Sequence, residues 1–221
     1  MKLPNLAAPD LASLLASRLC HDIISPVFGI QSGLELLDEM PDDAESMALV
    51  RKSLKSAVAK LQFSRIAFGA SGSTTAQIDL GEAKSVAEGF MEFERANLVW
   101  SGERAYVPKN QAKLLLNLLL VANAAIPRGR EVSIAVERVD PEPRFVVKAV
   151  GKPLRVHARL VRWLNDEVDE EPIDAQAIQP FYAVLLARET GLSVTLSQDE
   201  ESATFIVEPA PVAVSDAVAP A

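Results

Sequence analysis

The sequence predicts an α+β protein: an N-terminal helical hairpin forming a dimeric four-helix bundle, followed by an α/β sandwich. Three features carry that prediction. Apolar residues recur at spacings of three and four over roughly the first 70 positions, with one interruption. A Gly/Ser run then breaks the pattern at 69–73. Beyond it, helical and strand periodicities alternate, as expected of helices laid on a sheet.

The first helix is read over residues 10–39, on the stripe Leu11, Leu15, Leu19, Ile23, Val27, Ile30, Leu34 and Leu37. Met40-Pro41-Asp42-Asp43 interrupts it. A proline suits the first turn of a new helix, and the acids suit its positive end. The second stripe, Met47, Val50, Leu54, Val58 and Leu61, stops at Gly69-Ala70-Ser71-Gly72-Ser73. A lone pair of long helices leaves apolar flanks uncovered, and two copies cover them as a four-helix bundle. A homodimer is therefore expected. Packing of the hairpin on its own C-terminal half is the alternative.

Residues 79–97 follow as a helix by pattern (Leu80, Ala83, Val86, Ala87, Phe90, Phe93), and 109–126 as a second, strongly apolar one. Pro127-Arg128-Gly129-Arg130 turns the chain. Alternation predicts strands over 131–139 and 145–150, around the turn Asp140-Pro141-Glu142-Pro143. Helices are expected near 155–166 and 174–189, the latter stopped by Gly191, and 192–196 with 204–207 read as a closing hairpin. The domains drawn are 8–72 and 76–208, with an Ala/Val/Pro-rich tail, 209–221, expected to be disordered.

Composition narrows the function. The 221 residues are 49% hydrophobic, 24% charged and 5% aromatic, which is globular. Thirty acidic against 22 basic residues give a net charge of −8, which argues against a nucleic-acid partner. The single cysteine, Cys20, leaves no intrachain disulfide and no zinc site on paired cysteines, and fits a reducing compartment. The longest apolar run, 114–126, is broken by Asn117 and Asn123 and falls short of the roughly 20 residues a bilayer requires. The start, MKLPNLAAPD, has no apolar core of a secretory signal. A cytoplasmic protein with no membrane partner is expected.

The chain has two histidines, His21 and His157. At about 100° per residue, His21 stands roughly 160° from the stripe residues Leu19 and Ile23, so it projects from the first helix. Solvated surface is the simplest use of such a residue. Its surroundings suggest more: Pro26 lies inside the helical pattern, removes the amide bond to the Asp22 carbonyl, and costs about 3 kcal/mol in a helix interior. A residue that breaks the local rule one turn from a His-Asp pair points to a functional site. His157, among Arg155, Arg159 and Arg162, reads as surface.

His21-Asp22, with Pro26 five residues after the histidine, resembles the H-box of the dimerisation and phosphotransfer domain of sensor histidine kinases. The order of hairpin and α/β sandwich is similar too, so the second part resembles the histidine kinase ATPase domain. The nucleotide motifs of that domain fail here. Asn117 is followed four residues on by Val121 instead of the second, Mg²⁺-binding asparagine, and Asn123 is out of register. Ala149-Val150-Gly151-Lys152-Pro153 stands in place of Asp-x-Gly-x-Gly. Ile178-Gln179-Pro180-Phe181-Tyr182 stands where a glycine-rich lid would end. A phosphate cradle needs glycines for close approach of backbone amides, and none is available.

An H-box with a nucleotide-dead partner domain is similar to the bacterial histidine phosphotransferases of alphaproteobacterial cell-cycle signalling. The run Ser17 to Pro26, Gly33-Leu34-Glu35-Leu36-Leu37 and the turn Ala125-Ile126-Pro127-Arg128-Gly129 carry the resemblance. It implies movement of a phosphoryl group between receiver-domain aspartates through a phosphohistidine, without ATP. The implied partners are the receiver domain of a hybrid histidine kinase and response regulators of CtrA-like and CpdR-like type. No cofactor is expected on this chain, with Mg²⁺ supplied by the receiver.

On that reading His21 is the phosphoacceptor. An imidazole has an ordinary pKa near 6.5 and keeps a free lone pair at neutral pH. Arg18, one turn before it, either contacts phosphoryl oxygens or pairs with Asp22. Asp22 either orients the ring or faces solvent. Ile24, Ser25 and Phe28 flank the histidine as a receiver-docking surface, with bundle core as the alternative for Ile24. Lys52 and Lys55, within the basic run Arg51 to Arg65, are expected to steer an acidic receiver pocket. The competing classes are an autophosphorylating kinase and a non-catalytic dimeric scaffold that binds receivers or kinases.

Overall fold

The computed structural model describes residues 3–69 and 76–211. Most of the expected Gly/Ser linker and of the expected tail lie outside the described residues. The chain opens with α1 (Ala8–Glu39), turns, and returns as α2 (Ala44–Ser64). Asp43 caps α2, its side chain accepting from Ser46 N at 2.9 Å. That contact satisfies one of the free amides at a helix start.

Helix α1 runs unbroken through Pro26, which is buried. The seam with α2 is made of small residues: Pro26, Gly29 and Gly33 lie on one helical face at i, i+3 and i+7. A Cβ on Gly33 would stand 2.6 Å from Val50 Cγ2 and 3.2 Å from the Ser46 carbonyl, and one on Gly29 would strike the Ser53 hydroxyl. Val27 and Leu34 are 43% and 50% exposed and turn away from their own α2.

Helix α1 is long and apolar enough, by length and composition, to cross a membrane, although no uninterrupted apolar run marks it in the sequence. Arg18 and Asp22 stand within it, and each such charge at a bilayer centre costs about 2.5 to 3.5 kcal/mol. At the open end of the hairpin, Leu11, Leu14 and Leu15 pack against the α/β core, so part of the hairpin does rest on its own C-terminal half.

Helix α2 ends in a π-helical turn, Arg65–Gly69. Then come β1 (Gln77–Asp79), α3 (Leu80–Met91), β2 (Asn97–Ser101), β3 (Tyr106–Pro108), α4 (Lys109–Ala125), β4 (Glu131–Arg138) and β5 (Arg144–Val150). Helices α5 (Ala158–Leu164) and α6 (Ile178–Glu189) and strands β6 (Leu192–Gln198) and β7 (Ser202–Pro209) complete the order. The main sheet runs β2-β4-β5-β7-β6, antiparallel except for the parallel β2/β4 pair, and β1 pairs with β3 in a separate two-stranded sheet. The mixed helix-and-sheet class is thus as expected. The helix read over 79–97 is shorter: α3 ends at Met91, and the chain turns there to enter β2 at Asn97, whose register partner on β4 is Glu131.

The sheet buries Val132, Ile134, Phe145, Val147, Ala149, Phe205 and Val207 on one face. Helix α4 lies across that face and is buried without a break from Ala112 to Leu119. A helix enclosed on all sides can be apolar all round, which explains its unpatterned sequence.

Candidate functional site

His21, Asp22 and Arg18 sit together on the outer side of α1. The His21 side chain is 83% exposed, and its Nδ1 lies 3.3 Å from Asp22 Oδ1. Arg18 Nε donates to Asp22 Oδ2 at 3.0 Å. A carboxylate only accepts hydrogen bonds, so the neutral tautomer that makes this contact carries its proton on Nδ1 and its lone pair on Nε2. The carboxylate bridges the two side chains, and the guanidinium fixes its orientation. Of the two expectations for Arg18, the structure shows the pairing with Asp22; for Asp22, it shows contact with the ring.

The flanking residues are open. Ile24 and Phe28 are 47% and 57% exposed, and Ser25 is exposed. Ile24 is thus not core of its own hairpin. Lys52 and Lys55 are exposed on α2. Because Gly29 faces Ser53, these lysines stand level with residues near 27–30, roughly 9–13 Å along the axis from His21 at 1.5 Å per residue. The structure does not bring them to the histidine. Lys60 is the base of α2 that comes near, lining a cleft with Arg18 and Asp22.

That cleft, of about 430 Å³, separates the hairpin from α3 and α4. Its floor is a polar bridge: Glu94 lies 4.0 Å from Lys60 and accepts from Asn123 Nδ2 at 3.0 Å. Asn123 therefore ties α4 to the segment after α3. Asn117 is fully buried and engaged on three sides. Its amide donates to the carbonyls of Ala67 (2.9 Å) and Lys113 (2.7 Å), and its oxygen accepts from Gln179 Nε2 at 2.6 Å. One partner is the π turn, so this asparagine fastens the hairpin to α4 and α6. Lys113 adds a contact to the Phe68 carbonyl at 3.4 Å, and its burial, with Lys109 nearby, lowers its pKa below the ordinary value.

Two features escape a reading of the sequence. His157 is half-buried, not surface; its Nδ1 is buried without a partner, and burial pushes its pKa down. Arg159 is buried beneath the 165–177 loop. It bonds Asp169 Oδ2 at 2.6 Å and the carbonyls of Glu171 (2.6 Å) and Pro172 (2.9 Å), with its guanidinium 5.1 Å from the Trp163 ring centre. Burial acts to raise the Asp169 pKa, but the bonds from Arg159 and the Glu171 amide outweigh it and hold the group ionised below the usual range. Arginines spaced along a helix give no sign of which one the following loop will cover. Among the described residues, no group of three or more His, Cys, Asp or Glu side chains is placed to hold a metal ion.

A hairpin bearing an outward histidine, joined to an α/β layer, is the architecture of a phosphotransfer protein. Residues 80–202, more than half of the chain, match the histidine phosphotransferase C-terminal domain, and the chain belongs to the histidine phosphotransferase family. It is 47% identical over 209 residues to the protein phosphotransferase ChpT of Brucella abortus (strain 2308), an alignment spanning 94% of this chain and all of that one. A solved bacterial phosphotransferase is 45% identical and superposes with a TM-score of 0.85, covering 92% of this chain and 98% of its own. The histidine kinase domain of the blue-light-activated kinase of Erythrobacter litoralis EL346 is 14% identical, with a TM-score of 0.46 over 91% of this chain and 93% of its own.

Proposed function

We propose that this phosphotransferase carries a phosphoryl group between receiver-domain aspartates on His21, with no nucleotide of its own. The observation that carries the reading is the exposed ring whose Nδ1 is held by Asp22, leaving Nε2 open to a visiting group. In the first step the Nε2 lone pair forms a bond to phosphorus while the P–O bond to the receiver's aspartate breaks, releasing its carboxylate. In the second step the carboxylate of another receiver forms the new P–O bond and the P–N bond breaks, returning the lone pair to Nε2. The Nδ1 proton remains on the ring throughout, and the Asp22 carboxylate stabilises the cationic character the ring gains when phosphorylated. Arg18 holds Asp22, and Mg²⁺ arrives with the receiver.

The partners fitting this chemistry are the receiver of a hybrid histidine kinase and response regulators of CtrA-like and CpdR-like type. The exposed Ile24, Ser25 and Phe28 offer them a docking surface beside the histidine, with Lys52 and Lys55 steering their approach. The exposed apolar faces of α1 and α2 support a homodimer through a four-helix bundle. Two observations support independence from ATP. Asn117 spends its side chain on protein partners, and the aliphatic Val121 stands where a second asparagine would be needed.

The test is transfer of label from a phosphorylated receiver. The wild-type chain is expected to take up acid-labile phosphate, and His21→Ala to take up none. Equal labelling of the variant would overturn the reading, and receiver binding without labelling of either protein would leave a scaffold. Tight binding of ATP in a direct titration would contradict the nucleotide-free mechanism.

A further inference from the structure

The two helices of the hairpin return on one another, and one contact fixes their alignment. Gly29 faces Ser53, so closely that a Cβ on the glycine would strike the serine hydroxyl. Seven residues are about two turns, which brings a helix back to the same face. Seven positions before Gly29 stands Asp22, and seven after Ser53 stands Lys60. Asp22 and Lys60 therefore lie opposite one another across the seam, and both line the cleft between the hairpin, α3 and α4. Packed helices have their axes about 8–10 Å apart, a gap that the four-carbon stem of a lysine can span.

The Lys60 amine is nevertheless turned elsewhere. Its ion partner is Glu94 at 4.0 Å, with the two side chains only 20% and 25% exposed. Glu94 is aimed by its other oxygen: Oε2 accepts from Asn123 Nδ2 at 3.0 Å, and Oε1 is the atom that faces Lys60. Asp22 is the acceptor the ammonium would otherwise take. Its Oδ2 is bonded by Arg18 at 3.0 Å, whereas its Oδ1 meets only the His21 ring, at 3.3 Å and exposed. A hydrogen bond from a charged donor is about twice as strong as one from a neutral donor. An ammonium released from Glu94 would therefore displace the neutral imidazole N–H from Oδ1.

We propose that Glu94 is a positioning residue for His21. It draws the Lys60 ammonium away from Asp22, and so preserves the contact that keeps the ring proton on Nδ1 and the lone pair on Nε2. Glu94 acts at one remove, through Lys60 and Asp22, without touching the phosphoryl group. Its effect on transfer rests on the relay reading, in which Nε2 is the attacking atom. Glu94→Gln isolates the charge, because glutamine has nearly the same volume and keeps an oxygen for Asn123, and only the attraction for Lys60 is lost.

Nitrogen-15 NMR of the full chain reads the tautomer, at a pH well above 6.5 where an ordinary imidazole is neutral, with His21→Ala assigning the signal. The wild-type His21 ring is expected in the Nδ1–H form. In Glu94→Gln it is expected to shift towards Nε2–H, and labelling from a phosphorylated receiver to slow by up to about fivefold, the worth of an ion pair near the surface. The loss should fall on the rate at saturating receiver and not on receiver affinity. Adding Lys60→Met should return tautomer and rate to the wild-type values, because no ammonium then contends with the ring for Oδ1. An unchanged tautomer in Glu94→Gln would overturn the proposal. So would a double variant no better than the single one, which would show Glu94 acting through Asn123 or the fold alone. Labelling of His21→Ala would sink the relay reading, while the tautomer comparison decides the role of Glu94 by itself.

Discussion

Asn117 shows how much one side chain can hold. Replacing it with leucine keeps most of the volume but strips the Ala67 carbonyl and the Gln179 amide of their partners. At about 1–3 kcal/mol for each buried group left unpaired, Asn117→Leu is expected to lose about 2–6 kcal/mol in urea unfolding. A variant as stable as the wild type would show that the network is dispensable. In the sequence this residue reads only as half of a failed nucleotide motif, because its partners lie 50 and 62 positions away. The outward face of His21 was legible, since helical periodicity is local. Its contact with Asp22 was not, because neighbours on a helix diverge by about 100° and only the reach of the two side chains brings them together. His157 is the reverse case, a residue that looked like surface and is half-buried, with its Nδ1 shut away from solvent. Burial lowers its pKa below 6.5; Asp174 opposes the shift, and Arg159 and Arg162 reinforce it. As pH falls through 6.5 the unfolded chain takes up the proton first, so stability should drop between there and the lowered folded value. His157→Gln should flatten that part of a stability-versus-pH curve; an unchanged slope would place the proton elsewhere.

At the scale of elements, the hairpin is set by glycines as much as by its apolar stripes. Two effects compete when Gly33 becomes alanine. Alanine is favoured over glycine in a helix interior by about 1 kcal/mol. Against that, the new methyl would meet Val50 Cγ2 at 2.6 Å and the Ser46 carbonyl at 3.2 Å, and a valine on a helix has few other rotamers to move to. Overpacking of this kind costs about 1–3 kcal/mol, and more when a backbone atom must shift, so Gly33→Ala is expected to destabilise. Gly89 supplies the control. It lies inside α3 with nothing within 4 Å of the added methyl, and Gly89→Ala should stabilise by up to about 1 kcal/mol. The pair is read by thermal unfolding, and shifts of the same sign would refute the packing argument. Both long helices, β4 to β7 and α4 could be placed from periodicity. Strands β1 and β3 could not, because three residues each carry no readable alternation and exist only by pairing with one another. The π turn was invisible for a related reason: its Ala67 and Phe68 carbonyls are held by Asn117 and Lys113, about 45 to 50 positions away.

At the scale of the whole molecule, the apolar surface is unevenly covered. The α/β layer and the open end of the hairpin close over one core, whereas the rest of the hairpin leaves Val27, Leu34, Leu54, Val58 and Leu61 between 43% and 53% exposed. Fully burying one such side chain contributes about 1.5–3 kcal/mol, so a second copy laid along this face would gain many times the cost of any single contact. The same arithmetic gives a sharp test. Leu54→Glu places a charge at the centre of that face, where desolvation without a partner costs more than the leucine contributed. On the proposed bundle, the variant should be a monomer in light scattering where the wild type is a dimer. The variant should stay folded by circular dichroism, because Leu54 is half-exposed and is not one of the buried core residues. Dilution of the wild type should lower its thermal midpoint, since a chain that associates gains stability from association. A wild-type chain that is monomeric at micromolar concentration would end the bundle argument, and with it the expectation that His21 is displayed on a paired stem.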